Sequence, residues 1–167
     1  MTAIITNIQQ APRGSIASLV PGRSMHLIDI ENLCGSSRLT LDQVKVSRQL
    51  YTEMGLWREG DLIVIASSKG NYLSSAYGWP TARHLVRDGK DGADLCLAEV
   101  MSEEGLPNRF ERVVVASGDG GLAPFVSELA GSGVDTVVVS QSTRLSHQMR
   151  LAAHKCFVLT PNLEDLA

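Results

Sequence analysis

Short runs of consecutive apolar residues alternate along this chain with stretches in which apolar positions recur every three or four residues. That alternation predicts strands separated by helices, the pattern of β-α-β units and a mostly parallel sheet. The strand-like runs cover 25–30, 61–66, 82–87, 112–116, 134–139 and 156–159. Leu62-Ile63-Val64-Ile65 and Val113-Val114-Val115 are apolar throughout, as strands are when helices cover both faces of the sheet. Helical spacing predicts helices over 41–57, 92–104, 121–130 and 142–153, with a short helical turn around 73–77. Thr40 and Gln43 form a capping-box pair at the start of the first, and Gly105 and Pro107 stop the second. Pro124 fits the third only within its first turn. The expected fold is α/β, with a central, mostly parallel sheet flanked by helices.

The 167 residues make one domain, and 44% apolar with 20% charged residues is an ordinary globular composition. No window approaches the ~18 consecutive apolar residues of a membrane span, so no membrane partner is expected. Cys34, Cys96 and Cys156 are odd in number, widely spaced and without a C-x-x-C pair, which predicts reduced thiols rather than disulfides or zinc. The first residues lack the basic-then-apolar order of a secretory signal, and the expected location is cytoplasmic. Residues 1–24 hold Arg13 and Arg23, no acid, and the breakers Pro12, Gly14, Pro21 and Gly22. They read as a leader before a domain spanning 25–167. Its apolar residues Ile4, Ile5, Ile8, Ile16, Leu19 and Val20 would pack on its own domain, on a second copy of the chain or on a protein partner.

Charge changes the picture more. Lys+Arg 15 against Asp+Glu 18 gives a net charge of -3, which excludes nucleic-acid binding by bulk basicity. The acids, however, collect where ligands of open parallel sheets bind, just beyond the carboxyl ends of strands. Asp29 ends the first predicted strand, followed by Glu31 and Asn32. Ser117, Gly118 and Asp119 follow the fourth, and Asp94 lies in the first turn of the helix that opens after Lys90 and Asp91. Converging carboxylates repel one another unless a cation joins them. Mg²⁺ or Mn²⁺ prefers such oxygens, keeps room for a phosphate and polarises it, so the expected chemistry is phosphodiester hydrolysis. Asp29, Asp94 and Asp119 are candidates to meet such a cation, with Asp91 and Glu99 as further ones.

Each residue also has a plainer reading. Asp119 between glycines makes a turn or a helix cap, Asp94 favours the helix dipole, and Asn32 and Ser117 make local turns or caps. Asp29 is harder to explain this way, because an acid ending an apolar strand adds little to a core.

These residues resemble the NYN-type branch of the PIN-like metal-dependent ribonucleases, over about 25–159. The family's Asp-x-x-Asn after the first strand is matched by Asp29-Ile30-Glu31-Asn32, its Gly-x-Asp heading a helix by Gly92-Ala93-Asp94, and its Ser-Gly-Asp loop by Ser117-Gly118-Asp119. The resemblance implies a PIN-like three-layer sandwich and Mg²⁺- or Mn²⁺-dependent RNA cleavage, with Asp29, Asp94 and Asp119 as ligands and Asn32 helping to hold the site; on that footing Asn32 and Ser117 are expected to orient water or phosphate. One departure weakens it: the third motif usually continues Asp-x-Asp-Phe, and here Gly121 and Leu122 stand at the last two positions. The alternative is a catalytically impaired module of the same fold that binds RNA or a protein.

The expected partner is RNA, or single-stranded DNA. Residues 136–163 hold no acid, and Arg144, His147 and Arg150 recur every three residues, so two turns of one helix would offer them to a phosphate backbone or simply to solvent. Arg83, His84, Arg87 and Lys90 form a second candidate group for RNA, and Tyr72 and Tyr77 beside Trp79-Pro80 either stack bases or pack the core. Gly118-Asp119-Gly120-Gly121-Leu122-Ala123 also fits a dinucleotide-binding pattern. Against that reading, no acid follows Val139 to hold a ribose, and Asp119 would face the pyrophosphate.

Overall fold

The computed structural model describes residues 3–9 and 22–161. Its seven strands are β1 (Ala3–Gln9), β2 (Ser24–Asp29), β3 (Leu62–Ser67), β4 (Arg83–Val86), β5 (Arg112–Ala116), β6 (Asp135–Gln141) and β7 (Lys155–Pro161). The helices are α1 (Ile30–Cys34), α2 (Leu41–Glu53), α3 (Tyr72–Gly78), α4 (Gly92–Glu103), α5 (Ala123–Gly131) and α6 (His147–Ala152). One sheet holds all seven strands in the order β1-β7-β6-β5-β2-β3-β4. β2 through β7 are mutually parallel, and β1 closes one edge by antiparallel pairing with β7. Of the predicted leader, Ala3–Gln9 therefore lies on the chain's own sheet, and residues 10–21 lie outside the described residues.

Helices cover both faces, giving a three-layer α/β sandwich. The period-2 pleat sorts the strand residues into two cores. Leu27, Val64, Val113, Val115 and Val138 pack with Leu97, Val100, Val126, Leu129 and Met149 of α4, α5 and α6. Ile28, Ile65, Val114, Val137 and Val139 pack on the other face with Leu33, Val44, Tyr51 and Trp79. Each such side chain contributes roughly 1.5–3 kcal/mol when fully buried. Tyr51 is fully buried, with its hydroxyl 2.7 Å from His26 Nδ1 while His26 Nε2 lies 3.3 Å from Asp61. This chain of polar contacts ties the start of β2 to α2 and to the turn before β3.

Local differences from the expected elements have local causes. α2 stops at Glu53 because Gly55 adopts φ 70°, a left-handed conformation that ends a helix. α6 begins only at His147, capped by Ser146, whose Oγ accepts the Met149 amide. Arg144 is therefore in the turn before α6, and the expected stripe of Arg144, His147 and Arg150 on one helix does not form.

Counting only the parallel strands, the order is that of a doubly wound sheet, which winds outward in both directions from β2 and β5. α1, α2 and α3 lie on one face and α4, α5 and α6 on the other. The crevice where the winding reverses lies at the carboxyl ends of β2 and β5; β2 ends in Asp29, and β5 runs into the loop that carries Ser117 and Asp119. No described helix is long and apolar enough to cross a membrane.

Candidate functional site

Asp29 is the last residue of β2 and the N-cap of α1. Its Oδ1 accepts the amides of Glu31 and Asn32, each at 3.0 Å, so the cap uses one carboxylate oxygen. The residue is only 7% exposed, and this burial, with the nearby charges of Glu31 and Asp119, pushes its pKa up to about 6 against the lowering effect of the two amides. Asp119, at the end of the loop after β5, caps the tight turn Gly120–Leu122, its Oδ1 accepting the Gly121 amide at 2.7 Å. The capping reading and the site reading of these two residues thus coexist, because each cap occupies a single oxygen.

Asp94 comes from the first turn of α4. Burial raises its pKa first, followed by the charges of Asp29, Asp119 and Asp91 and a side-chain hydrogen bond with Asp119, to about 7. Its Oδ1 is buried without a hydrogen-bond partner. Three acids predicted from segments 25 to 90 residues apart in sequence are thus brought into electrostatic contact at the carboxyl end of the sheet, where their mutual repulsion adds to burial in raising the proton affinity of Asp29 and Asp94. They are not a preformed cage: among the described residues no three His, Cys, Asp or Glu side chains are grouped so as to hold an ion. The donors still suit a hard cation. They are carboxylate oxygens with no imidazole or thiolate among them, and the unpartnered Asp94 oxygen has an acceptor's need unmet.

The loops that deliver these acids are held by close backbone approach. Gly118 packs so tightly on the turn before α6 that a Cβ would stand 2.2 Å from Arg144 O and 2.4 Å from Ser140 Oγ. A Cβ on Gly92 would stand 2.3 Å from Arg87 O. Asp91, just before α4, is the described non-glycine residue with positive φ, 61°, a conformation that Asp tolerates better than most residues. It is exposed and adds charge beside Asp94. Asn32 joins α1 to the β5 loop, its Oδ1 accepting the Gly118 amide at 3.1 Å and its Nδ2 taking no part in that bond.

Other predicted residues lie apart from this cluster. Ser117 is fully buried and its Oγ accepts the Asp119 amide at 3.2 Å, so it shapes the loop and is not turned toward a water or phosphate as expected. Glu99 forms a two-pronged ion pair with Arg87, at 2.8 and 3.0 Å, in a groove of about 350 Å³ between β4 and α4. It is not a further acid of the cluster. Arg83 pairs with Glu104, at 2.7 Å, just past the far end of α4, and is not at the acidic edge. Arg144 is exposed beside the crevice, its Nη2 donating to Gly35 O at 3.0 Å. Lys90 is exposed in the turn before α4, and Arg150 lies half-buried on α6. Of the predicted aromatic surface, Trp79 is core, whereas Tyr72 and Tyr77 are exposed.

Sequence reading gave Glu31 no role beyond a neighbour of Asp29. In the fold its Oε1 accepts the Ser68 amide at 2.9 Å, the Ser68 hydroxyl and the Asn71 side-chain amide at 2.7 Å. These partners are 37 and 40 residues away in sequence, which no local pattern announces.

The fold is similar to that of a protein of unknown function from Vibrio parahaemolyticus RIMD 2210633, known from a crystal structure. The TM-score is 0.59 at 13% identity, over 86% of this chain and 95% of the other. No family model matches the chain, and no curated protein does.

Proposed function

We propose that this chain is a metal-dependent nuclease of the NYN-type, PIN-like kind, hydrolysing RNA phosphodiester bonds with Mg²⁺ or Mn²⁺ held at Asp29, Asp94 and Asp119. The observation that supports it is the convergence of these three acids at the switch point of the sheet, where the charge of Asp119 raises the proton affinity of Asp29 and the charges of Asp29 and Asp119 raise that of Asp94. A bound cation would supply charge neutralisation and polarisation of a phosphoryl oxygen. Asp29 and Asp119 would each offer the oxygen not used in capping, and Asp94 its buried Oδ1 on losing its proton. Asn32 holds the β5 loop through Oδ1 and offers Nδ2 to a phosphate oxygen. Arg144, exposed in the turn packed on Gly118, and Lys90, exposed in the turn that leads into α4, are the groups for the backbone of the substrate.

A second reading, an impaired module that binds RNA or a protein without cutting, is favoured by two observations. Gly121 leaves the Asp119 loop with one carboxylate, and no three-ligand group is preassembled among the described residues. One experiment separates the two: labelled single-stranded RNA is incubated with Mn²⁺, Mg²⁺ or EDTA, using wild type and Asp29→Asn purified in parallel. Asn caps a helix about as well as Asp, so the variant should keep its fold. Cation-dependent cleavage that drops about 10³-fold in Asp29→Asn is expected, the scale of losing several kcal/mol of charge stabilisation. Equal cleavage by both proteins would refute the site, and retention of RNA without cleavage would favour the module.

A further inference from the structure

α1 has five residues, too few to be stable alone, yet its N-cap is Asp29 and its third residue is Asn32. Something outside the helix must hold it. Asn32 reaches the loop after β5 through Gly118. Glu31 reaches the opposite way, to the connection between β3 and α3, where a single oxygen gathers three donors from Ser68 and Asn71. Asn71 is itself 4% exposed, and its side-chain amide also donates to Ser37 O at 2.9 Å and accepts from the Leu39 amide at 2.9 Å. One buried amide therefore joins α1, the α1–α2 loop and the start of α3. β3 and β5 are the two neighbours of β2 in the sheet, so consecutive residues of α1 tie it to the loops on either side of β2, and Asn32 alone reaches across the crevice. Partial burial pushes the Glu31 carboxyl upward, but hydrogen bonds from Ser68 and Asn71 outweigh it and hold the group below its ordinary value, ionised and strongly accepting.

We propose that Glu31 is a positioning residue: braced by Ser68 and Asn71 on the side of β2 away from the crevice, it fixes α1 over the end of β2 and so sets where Asp29 and Asn32 stand. Its consequence for cleavage rests on the function proposed above, whereas the brace itself does not. Glu31 is also a negative charge near Asp29, and two variants separate the roles. Glu31→Gln keeps an oxygen for the three donors and removes the charge; Glu31→Ala removes both.

The test is amide hydrogen exchange on the cation-free protein. In Glu31→Ala the amides of Gly118 and Asn32, which donate to Asn32 Oδ1 and Asp29 Oδ1, should exchange about tenfold faster or more, the scale of losing hydrogen bonds to a charged acceptor. The Val138 amide in β6 should be unchanged, and Glu31→Gln should stay within about threefold of wild type. If Glu31→Ala does not fold, Ser68→Ala removes one donor and should speed the same amides about threefold. Unchanged exchange at Gly118 and Asn32 would overturn the brace, as would a Gln variant as loose as the Ala variant, since the charge would then be what matters. In the cleavage assay, kcat of Glu31→Ala should fall about 10–100-fold with KM little changed, and Gln should restore most of it. If wild type cleaves nothing, the nuclease reading fails while the exchange data still decide the brace.

Discussion

Asp94 is buried enough to raise its proton affinity, faces two other acids and has an oxygen without a partner. Burial and these neighbouring charges favour its protonated form, and this makes stability depend on pH. The ordinary value for both Asp29 and Asp94 is 3.8, and in the fold they rise to about 6 and about 7. The folded state therefore binds these protons more tightly than the unfolded chain. The stability they contribute is complete below about pH 4 and is lost as pH climbs through 6 to 7. Compared with Asp94→Asn, wild type should lose Tm between pH 4 and 8 in EDTA. Mg²⁺ should restore it at pH 8 and do little at pH 5; parallel melting curves for the two proteins at every pH would contradict this. Asn32→Ala, which frees the Gly118 amide, should lower cation affinity or cleavage about 10–100-fold, measured by titration or single-turnover assay. These acids were legible because each ends an apolar run or opens a helix. Glu31 was not, because its partners come from the far side of β3.

At the level of elements, continuous apolar runs identified β2, β3, β5 and β6 within a residue or two, since a strand buried on both faces needs such a run. The Thr40–Gln43 capping box is present as expected. α6 was overextended because Arg144 and Leu145 keep a helical rhythm, while Ser146 starts the helix by its cap. β1 was hidden among breakers in a segment without acids, and its pairing partner lies near the other end of the chain. The contrast between framework and site is testable. Thr40→Ala should cost about 1 kcal/mol by denaturation and leave cleavage unchanged, since α2 bears none of the site residues. Gly118→Ala forces a methyl against Arg144 O and Ser140 Oγ, and should cost about 1–3 kcal/mol and cleavage as well. A Gly118→Ala protein as active and stable as wild type would show that the β5 loop has slack.

The molecule as a whole is an acidic sandwich that would repel a polyanion. Its winding reverses at β2 and β5, so chain segments far apart in sequence deliver their acids to one crevice, with Arg144 and Lys90 nearby. Binding to RNA should then need the cation and depend weakly on monovalent salt. Two basic contacts on a single strand predict a log–log slope of about -1.4, from about 0.7 per phosphate. A slope several times steeper, measured with Mg²⁺ held constant, would place RNA on a broad basic surface instead. The most direct test is titration of the protein with Mn²⁺, followed by electron paramagnetic resonance at pH 8. One saturable Mn²⁺ per chain is expected, displaced by Mg²⁺, weakened below about pH 6–7 as Asp29 and Asp94 take up protons, and lost in Asp94→Asn. No saturable site, or one that survives both Asp29→Asn and Asp94→Asn unchanged, would contradict the account.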